Sequence, residues 1–255
     1  MLEKNKIYNG DCLEIMKSID DKSIDMILCD LPYGTTACKW DVIIPFESLW
    51  EQYKRIIKDN GAIVLTASQP FTTDLINSNR AMFKYEIIWN KLSNSGFALC
   101  NKQPMKAHEN ILLFYKKQPT YNPLKTKREK EKLYKQEIME SGITNINIKR
   151  TNFLLTESFP TSILTIGSQS AECNNVNREH PTQKPVALFE YLIKTYTNEN
   201  ETILDNCSGS GTTAIACINT NRNYICIEKD KTYFDKSVER IEKHLSQTNM
   251  FRKVI

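Results

Sequence analysis

No apolar run in this 255-residue chain approaches the length of a bilayer span, which takes about 20 consecutive apolar residues. The opening MLEKNKIYNG also lacks the apolar stretch of an export signal. A cytoplasmic protein with no membrane partner is therefore expected. Histidine is scarce: His108, His180 and His244 stand far apart. The eight cysteines, at positions 12, 29, 38, 100, 173, 207, 217 and 226, include no CxxC pair. Clustered zinc ligands are missing, so no metal is expected. In an unexported chain, scattered cysteines read as small buried hydrophobes rather than a disulfide framework. No GK[ST] follows a glycine-rich turn, which excludes a phosphate-binding P-loop.

What is present suits one large domain, or one domain with a sizeable insertion. Apolar residues make up 40% and charged residues 25%, enough to bury a core. The formal charge of +4 is unevenly spread. Residues 116–150 hold ten Lys/Arg against four Glu, a net +6, and the rest of the chain is −2. That segment reads either as a polyanion contact or as a solvated, mixed-charge helix, since KTKREKEKLYKQE suits both.

Short apolar strands alternate with amphipathic segments, the pattern of an α/β fold. KIYNG, SIDMILCD, AIVLTAS, YEIIWNK, ENILLFYK, ETILDNC and NYICIEKD read as strands. DCLEIMKSI, TTDLINSNR, PVALFEYLIKTY, the segment opening at SGTTAIACINT and YFDKSVERIEKHLSQ read as helices. FESLWEQYKRIIKDNG reads as a helix stopped by Gly61. Residues 117–178 are polar and weakly periodic, so the chain divides into 1–116, an insert at 117–178, and 179–255.

Two stretches carry chemistry. In ETILDNCSGSGTT a strand runs to Asp205, then a turn with Gly209 and Gly211, then a helix. That is the form of a nucleotide-type cofactor site, or of a turn kept tight for packing. The next strand ends at Glu228, placed to accept hydrogen bonds from ribose hydroxyls. The pair points to an adenosine-type cofactor without separating NAD from S-adenosylmethionine. The second stretch, DLPY at 30–33, follows a buried-looking strand. Pro32 keeps Leu31 extended, Asp30 adds an acceptor and Tyr33 a ring. This is a holder for a planar ring bearing an NH2 group, or a strand-end turn.

Together the two stretches resemble the DNA amino-methyltransferases, with signature D/N/S-P-P-Y/F/W and a cofactor motif of the DPFxGSGTT type. DLPY has Leu31 for the first proline; DNCSGSGTT matches at Asp205, Gly209, Ser210, Gly211, Thr212 and Thr213. HPTQKP at 180–185, NGDCLEIM at 9–16 and AHENILLFYK at 107–116 also resemble family segments. The catalytic motif precedes the cofactor motif, the order of the beta group. The resemblance spans roughly residues 6–116 and 180–245.

It implies a doubly wound, mostly parallel Rossmann-like sheet in circularly permuted order, with a target-recognition insert. It implies transfer of a methyl group from S-adenosylmethionine to N6 of an adenine flipped out of double-stranded DNA. Asp30 and the Leu31 carbonyl would accept the amine hydrogens, Pro32 would stiffen the segment and Tyr33 would stack on the base. Asp11 resembles the acid near the cofactor's adenine, though it also suits a helix N-cap. Lys184 and His180 lie in a segment that lines the methionine end of the pocket in this family. Ser210 and Thr212 belong to the cofactor turn. Lys125, Lys127, Arg128, Lys130 and Lys132 would engage phosphates. Trp40 and Asp41 read as anchors of the loop after DLPYG, and Glu109 as structural. Asn206 and Cys207 replace the usual Pro-Phe, so an aromatic contact expected there is lacking or supplied elsewhere. Cytosine-N4 methylation, an RNA or protein amide substrate, and a non-catalytic DNA-binding relative stay open as alternatives. A homodimer and a restriction endonuclease partner stay open too.

Overall fold

A computed structural model describes residues 2–36, 38, 41–135, 152–168 and 183–252. The chain forms two compact units, 1–122 with 162–255, and 123–161.

The larger unit is built on one eight-stranded sheet. In chain order its strands are β1 (Lys6–Asn9), β2 (Ile24–Asp30), β3 (Ile57–Ala67), β4 (Phe83–Ser95), β5 (Lys106–Phe114), β8 (Ile163–Thr165), β9 (Thr202–Asp205) and β10 (Asn223–Glu228). They lie in the order β1-β10-β9-β2-β3-β5-β4-β8. All run parallel except β5, which is antiparallel to both its neighbours. Helices α1 (Cys12–Met16), α2 (Phe46–Ile56) and α3 (Phe71–Ser78) share one apolar core with Ile27 and Cys29 of β2. Helices α4 (Val186–Tyr196), α5 (Thr212–Asn219) and α6 (Lys231–Arg252) share the other with Met26 and Leu28. Alternate residues of β2 thus feed opposite faces, which is why SIDMILCD reads as continuously apolar.

The order of strands reverses direction at β9 and β2. From β9 the chain proceeds outward to β10, and from β2 it proceeds the other way to β3. The two strands pair in parallel at Met26↔Ile203 and Ile27↔Leu204. Open α/β sheets bind ligand at the carboxyl ends of the strands flanking such a reversal, and Asp30 and Asp205 are those two ends.

Three local expectations are corrected. Helix α2 stops at Ile56, because Ile57 is already extended and pairs with Ile24. Gly61 is no helix stop: between Ile24 and Met26 the register with β3 jumps from Ile57 to Ala62. A Cβ on Gly61 would lie 2.8 Å from the Asp25 carbonyl oxygen, so glycine answers a close backbone approach. The basic stretch is a strand, which removes the mixed-charge helix that was one of its two readings. In the smaller unit β6 (Thr126–Lys135) pairs antiparallel with β7 (Asn152–Ser158), and pairing with NFLLTES overrides the helix propensity of Lys and Glu. Residues 162–168, inside the segment read as an insert, belong with the larger unit, where β8 extends the sheet beside β4.

Candidate active site

A cavity of about 1160 Å³ opens along the carboxyl ends of the central strands. Clefts for a single small ligand run about 300–1,000 Å³, so there is room for two. Asp11, Asp30, Leu31, Pro32, Tyr33, Lys184, Asp205, Gly209, Ser210, Thr212 and Glu228 all line it. Of the residues singled out for catalysis or the cofactor, only Gly211 is not in its wall.

Asp30 ends β2 with both carboxylate oxygens held. Oδ2 accepts from Lys184 Nζ at 2.7 Å. Oδ1 accepts from the Tyr33 hydroxyl at 2.7 Å and from Thr66 Oγ1 of β3. A carboxylate offers about four acceptor positions, so three donors orient the group and about one position is left. Lys184 also lies 3.3 Å from Glu109 Oε2, and Glu109 Oε1 meets Lys91 at 3.2 Å. Burial works against the Lys184 ammonium, but Asp30 and Glu109 outweigh it and hold its pKa above the ordinary lysine value. The ammonium therefore stays charged. Tyr33 lays one ring face on Phe71, at 5.1 Å between centroids. Burial, then the Asp30 and Glu109 charges, hold its hydroxyl well above the usual range, so it acts as a donor.

The loop after DLPY is closed by Asp41, which accepts from the amides of Gly34, Thr35 and Thr36 at 2.8, 2.9 and 2.7 Å. Burial pushes its carboxyl upward, but these bonds and the Thr36 hydroxyl more than offset it, leaving it below the usual value. Asp41 is the anchor it was read to be. Trp40 and His180 lie outside the described residues.

On the other side of the switch point, Asp205 is buried. It accepts from Thr213 Oγ1 and from the Cys207 amide at 3.1 Å. Burial still raises its carboxyl to about 6. The Glu228 carboxylate accepts from the amides of Gly209 and Asp230 at 2.7 and 2.8 Å. Burial raises it too, against those bonds. Gly209 and Gly211 have φ of +51° and +75°, backbone that glycine adopts without strain. A Cβ on Gly211 would lie 3.2 Å from the Cβ of Ser237 on α6, so this glycine serves helix packing. Arg240 of α6 donates to the Ser210 carbonyl at 2.8 Å and steadies the turn. Asp11 caps α1 through the Leu13 amide at 3.0 Å and meets Lys229 at 3.0 Å. It is an N-cap and a cavity residue at once.

The Asn206–Cys207 departure has a local explanation. Asn206 is buried and accepts from the Tyr53 hydroxyl of α2 at 2.5 Å. The bond with Cys12 pulls the Cys207 thiol down, but the bond with Cys29 and burial outweigh it, so the thiol sits well above its ordinary value. Cys207 is a neutral wall, not a nucleophile. Tyr233 of α6 brings an aromatic ring to the cavity.

A cofactor fits these residues on two counts. Buried Ser208 Oγ and Gln183 Oε1 have no hydrogen-bond partner among the described residues, and both side chains line the cavity; such groups normally find partners. Asp205 and Glu228, their carboxyls raised by burial, favour a positively charged ligand.

The basic residues sit in the smaller unit. Lys125 meets Glu157 at 3.3 Å and lies 4.9 Å from the centre of the Phe159 ring. Arg128 Nε donates to the Glu157 carbonyl at 3.2 Å. Lys127 is exposed, opposite Glu157 in the ladder. Lys130 and Lys132 belong to β6, and their side chains lie outside the described set. Sequence reasoning missed Thr66, Lys91 and the contact of Glu109 with Lys184. A carboxylate three residues before the apolar LLF of β5 was the available signal for Glu109.

Residues 24–239 match the family described as DNA methylase, of the N6/N4 methyltransferase type. The chain is 28% identical over 252 residues to the Type II methyltransferase M.HpaI of Haemophilus parainfluenzae, covering 93% of this chain and 74% of that protein. The crystal structure of the M1.HpyAVI–SAM complex is similar with a TM-score of 0.60 and 24% identity, over 92% of this chain and 98% of that one. The PvuII DNA methyltransferase, described as cytosine-N4-specific, is similar with a TM-score of 0.67 and 17% identity, over 98% and 93%.

Proposed function

The chain belongs to the DNA methylase family of N6/N4 methyltransferases, and from that membership we propose that it methylates N6 of an adenine flipped out of double-stranded DNA. S-adenosylmethionine is the methyl donor, and when bound it supplies an electrophilic methyl group on a sulfonium. The observation that carries this reading is the joining of Asp30 and Asp205 into one cavity by the β2–β9 pairing. A donor held beside Asp205, Gly209 and Glu228 and an amine held at Asp30 then face each other.

The residues act by positioning. An exocyclic amine is a weak nucleophile because its lone pair is delocalised into the ring. Asp30, with about one acceptor position free, takes one amine hydrogen, and the Leu31 carbonyl takes the other. The lone pair is thereby directed at the methyl carbon. With the donor bound, the N–C bond would form as the methyl–sulfur bond breaks, and the Asp30 carboxylate would lie beside the surplus amine proton. Lys184, Thr66 and the Tyr33 hydroxyl keep that carboxylate oriented, so Lys184 serves the amine end as well as bordering the donor. The acids at Asp205 and Glu228 favour the donor's positive charge, with Glu228 placed for its ribose. Lys125, Lys127, Arg128, Lys130 and Lys132 are proposed phosphate contacts on a recognition insert.

The leading aspartate of DLPY favours adenine over cytosine, since cytosine-N4 enzymes more often begin this motif with serine. The test is to incubate protein, labelled S-adenosylmethionine and unmethylated DNA, digest the DNA and identify the labelled nucleoside. N6-methyladenine is expected. N4-methylcytosine would overturn the adenine reading, and unlabelled DNA would overturn the activity.

A further inference from the structure

We propose that the β4–β5 connection is the wedge that opens the duplex, with Phe97 entering the base stack in place of the extruded nucleotide; this rests on the base-flipping reading above. β4 runs parallel to β2 and lies three strands from it in the sheet. Its carboxyl end is therefore on the same edge as Asp30, and the ladder sets Ile87 level with Asp30, so β4 runs on past it to Ser95. Ser93, Asn94, Ser95 and Lys106, which bracket the connection, line the cavity.

The tip is built rather than slack. Gly96 turns out of the strand at φ +87°, and Phe97–Leu99 form a single 3-10 turn. The amides of Lys102 and Gln103 return to the Leu99 carbonyl at 2.8 and 3.0 Å. Yet Phe97 is 76% exposed and Leu99 45% exposed. A fixed turn that holds an aromatic ring out of its own core presents it to something else.

The charge around it suits DNA. From Ile87 to His108 there is no Asp or Glu, and Lys102 and Lys106 are exposed, while Lys91 is buried and paired with Glu109. An apolar tip flanked by two exposed lysines complements a polyanion with an apolar interior. Extruding a base costs a few kcal/mol of stacking, and apolar wedges entering base steps are a general means of offsetting such a cost. No covalent step is involved: Phe97 substitutes for a stacked base while the target occupies the cavity.

Phe97→Ala tests this. The parent's target base is first located by sequencing the DNA it methylates. Turnover is then measured on a paired duplex and on the same duplex with an abasic site opposite the target. The variant should lose roughly tenfold to hundredfold on the paired duplex, the scale of one base–aromatic stack, and regain near-parental turnover on the abasic one. Phe97→Trp should stay near the parent on both. Unchanged turnover of Phe97→Ala on the paired duplex would overturn the wedge, as would equal losses on both duplexes. Cofactor affinity by calorimetry and thermal unfolding should match the parent. A parent that methylates no DNA would defeat the function proposed above instead, before any variant is compared.

Discussion

Replacing Lys184 by methionine keeps the reach of the side chain and removes one buried positive charge. The Lys184 side chain is 9% exposed and sits between Asp30 and Glu109, themselves 22% and 15% exposed. Removing one partner of a buried pair costs about 3–5 kcal/mol, because the other charge is left uncompensated. Asp30 keeps some contact with solvent, so the lower end, about 3 kcal/mol, is expected. The carboxylate also loses one of three orienting donors, and a displacement of about 1 Å can cost about 10²-fold in rate. Urea unfolding should show the loss of stability, and methyl transfer to DNA should fall by about two orders of magnitude. The double variant Lys184→Met, Asp30→Asn removes the carboxylate left without a cation, since Glu109 keeps Lys91. It should recover part of the stability without recovering turnover, which separates charge from packing. Parental stability and turnover in the single variant would refute the view that Lys184 holds Asp30.

Other outcomes follow from the same geometry. Asp30→Ala should keep cofactor affinity in calorimetry and lose nearly all methyl transfer, whereas parental turnover would remove its assigned role. Tyr33→Phe should be slower than the parent through loss of the hydroxyl on Asp30, and Tyr33→Ala slower still through loss of the ring; equal damage in both would place the whole effect in the hydroxyl. Asp205 titrates near 6 in the fold, against about 4 in an unfolded chain. The folded state therefore holds the extra proton between these values, and stability falls as pH rises through that window, by about 3 kcal/mol. Urea titrations at several pH values should show this decline in the parent and not in Asp205→Asn; parallel curves would refute it. Neutralising Lys125, Lys127 and Arg128 together should flatten the salt dependence of DNA binding by up to roughly 2.7 in log–log slope, at about 0.9 per phosphate contact. Superimposable slopes would leave these charges to Glu157 and solvent.

The buried strands were legible because short apolar runs bounded by turn residues belong in a core that excludes water. β2 and β9 announced themselves through MILC and TILD, and their adjacency came only with the sheet order. The boundary at Ile56 was not legible, because IIKDNG continues the helical spacing while a partner on β2 claims Ile57. The strand nature of 126–135 was hidden for the same kind of reason: its partner lies beyond residue 150. The site followed this division. Asp30, Asp205 and Glu228 stand at strand ends and could be read locally. Thr66 meets Asp30, Glu109 meets Lys184 and Lys91 meets Glu109 only through β3, β4 and β5, and no spacing along the chain records those meetings.

The narrow seam between β2 and β9 has a consequence for how the chain comes into being. Across it Thr202 donates its amide hydrogen to Asp25 at 2.9 Å, from 177 residues away. Closing a loop of that length costs about 4–5 kcal/mol in chain entropy, and contacts so distant slow folding. A ribosome has released Asp30, Tyr33 and the whole of β3 to β5 well before it adds Asp205 and Glu228. Until those two residues are added the growing polypeptide carries the half that would grip a base and lacks the half that would hold a methyl donor. The proposed methyl transfer therefore has to wait for β9 and β10, and a chain cut short before residue 202 is expected to lack it by topology alone.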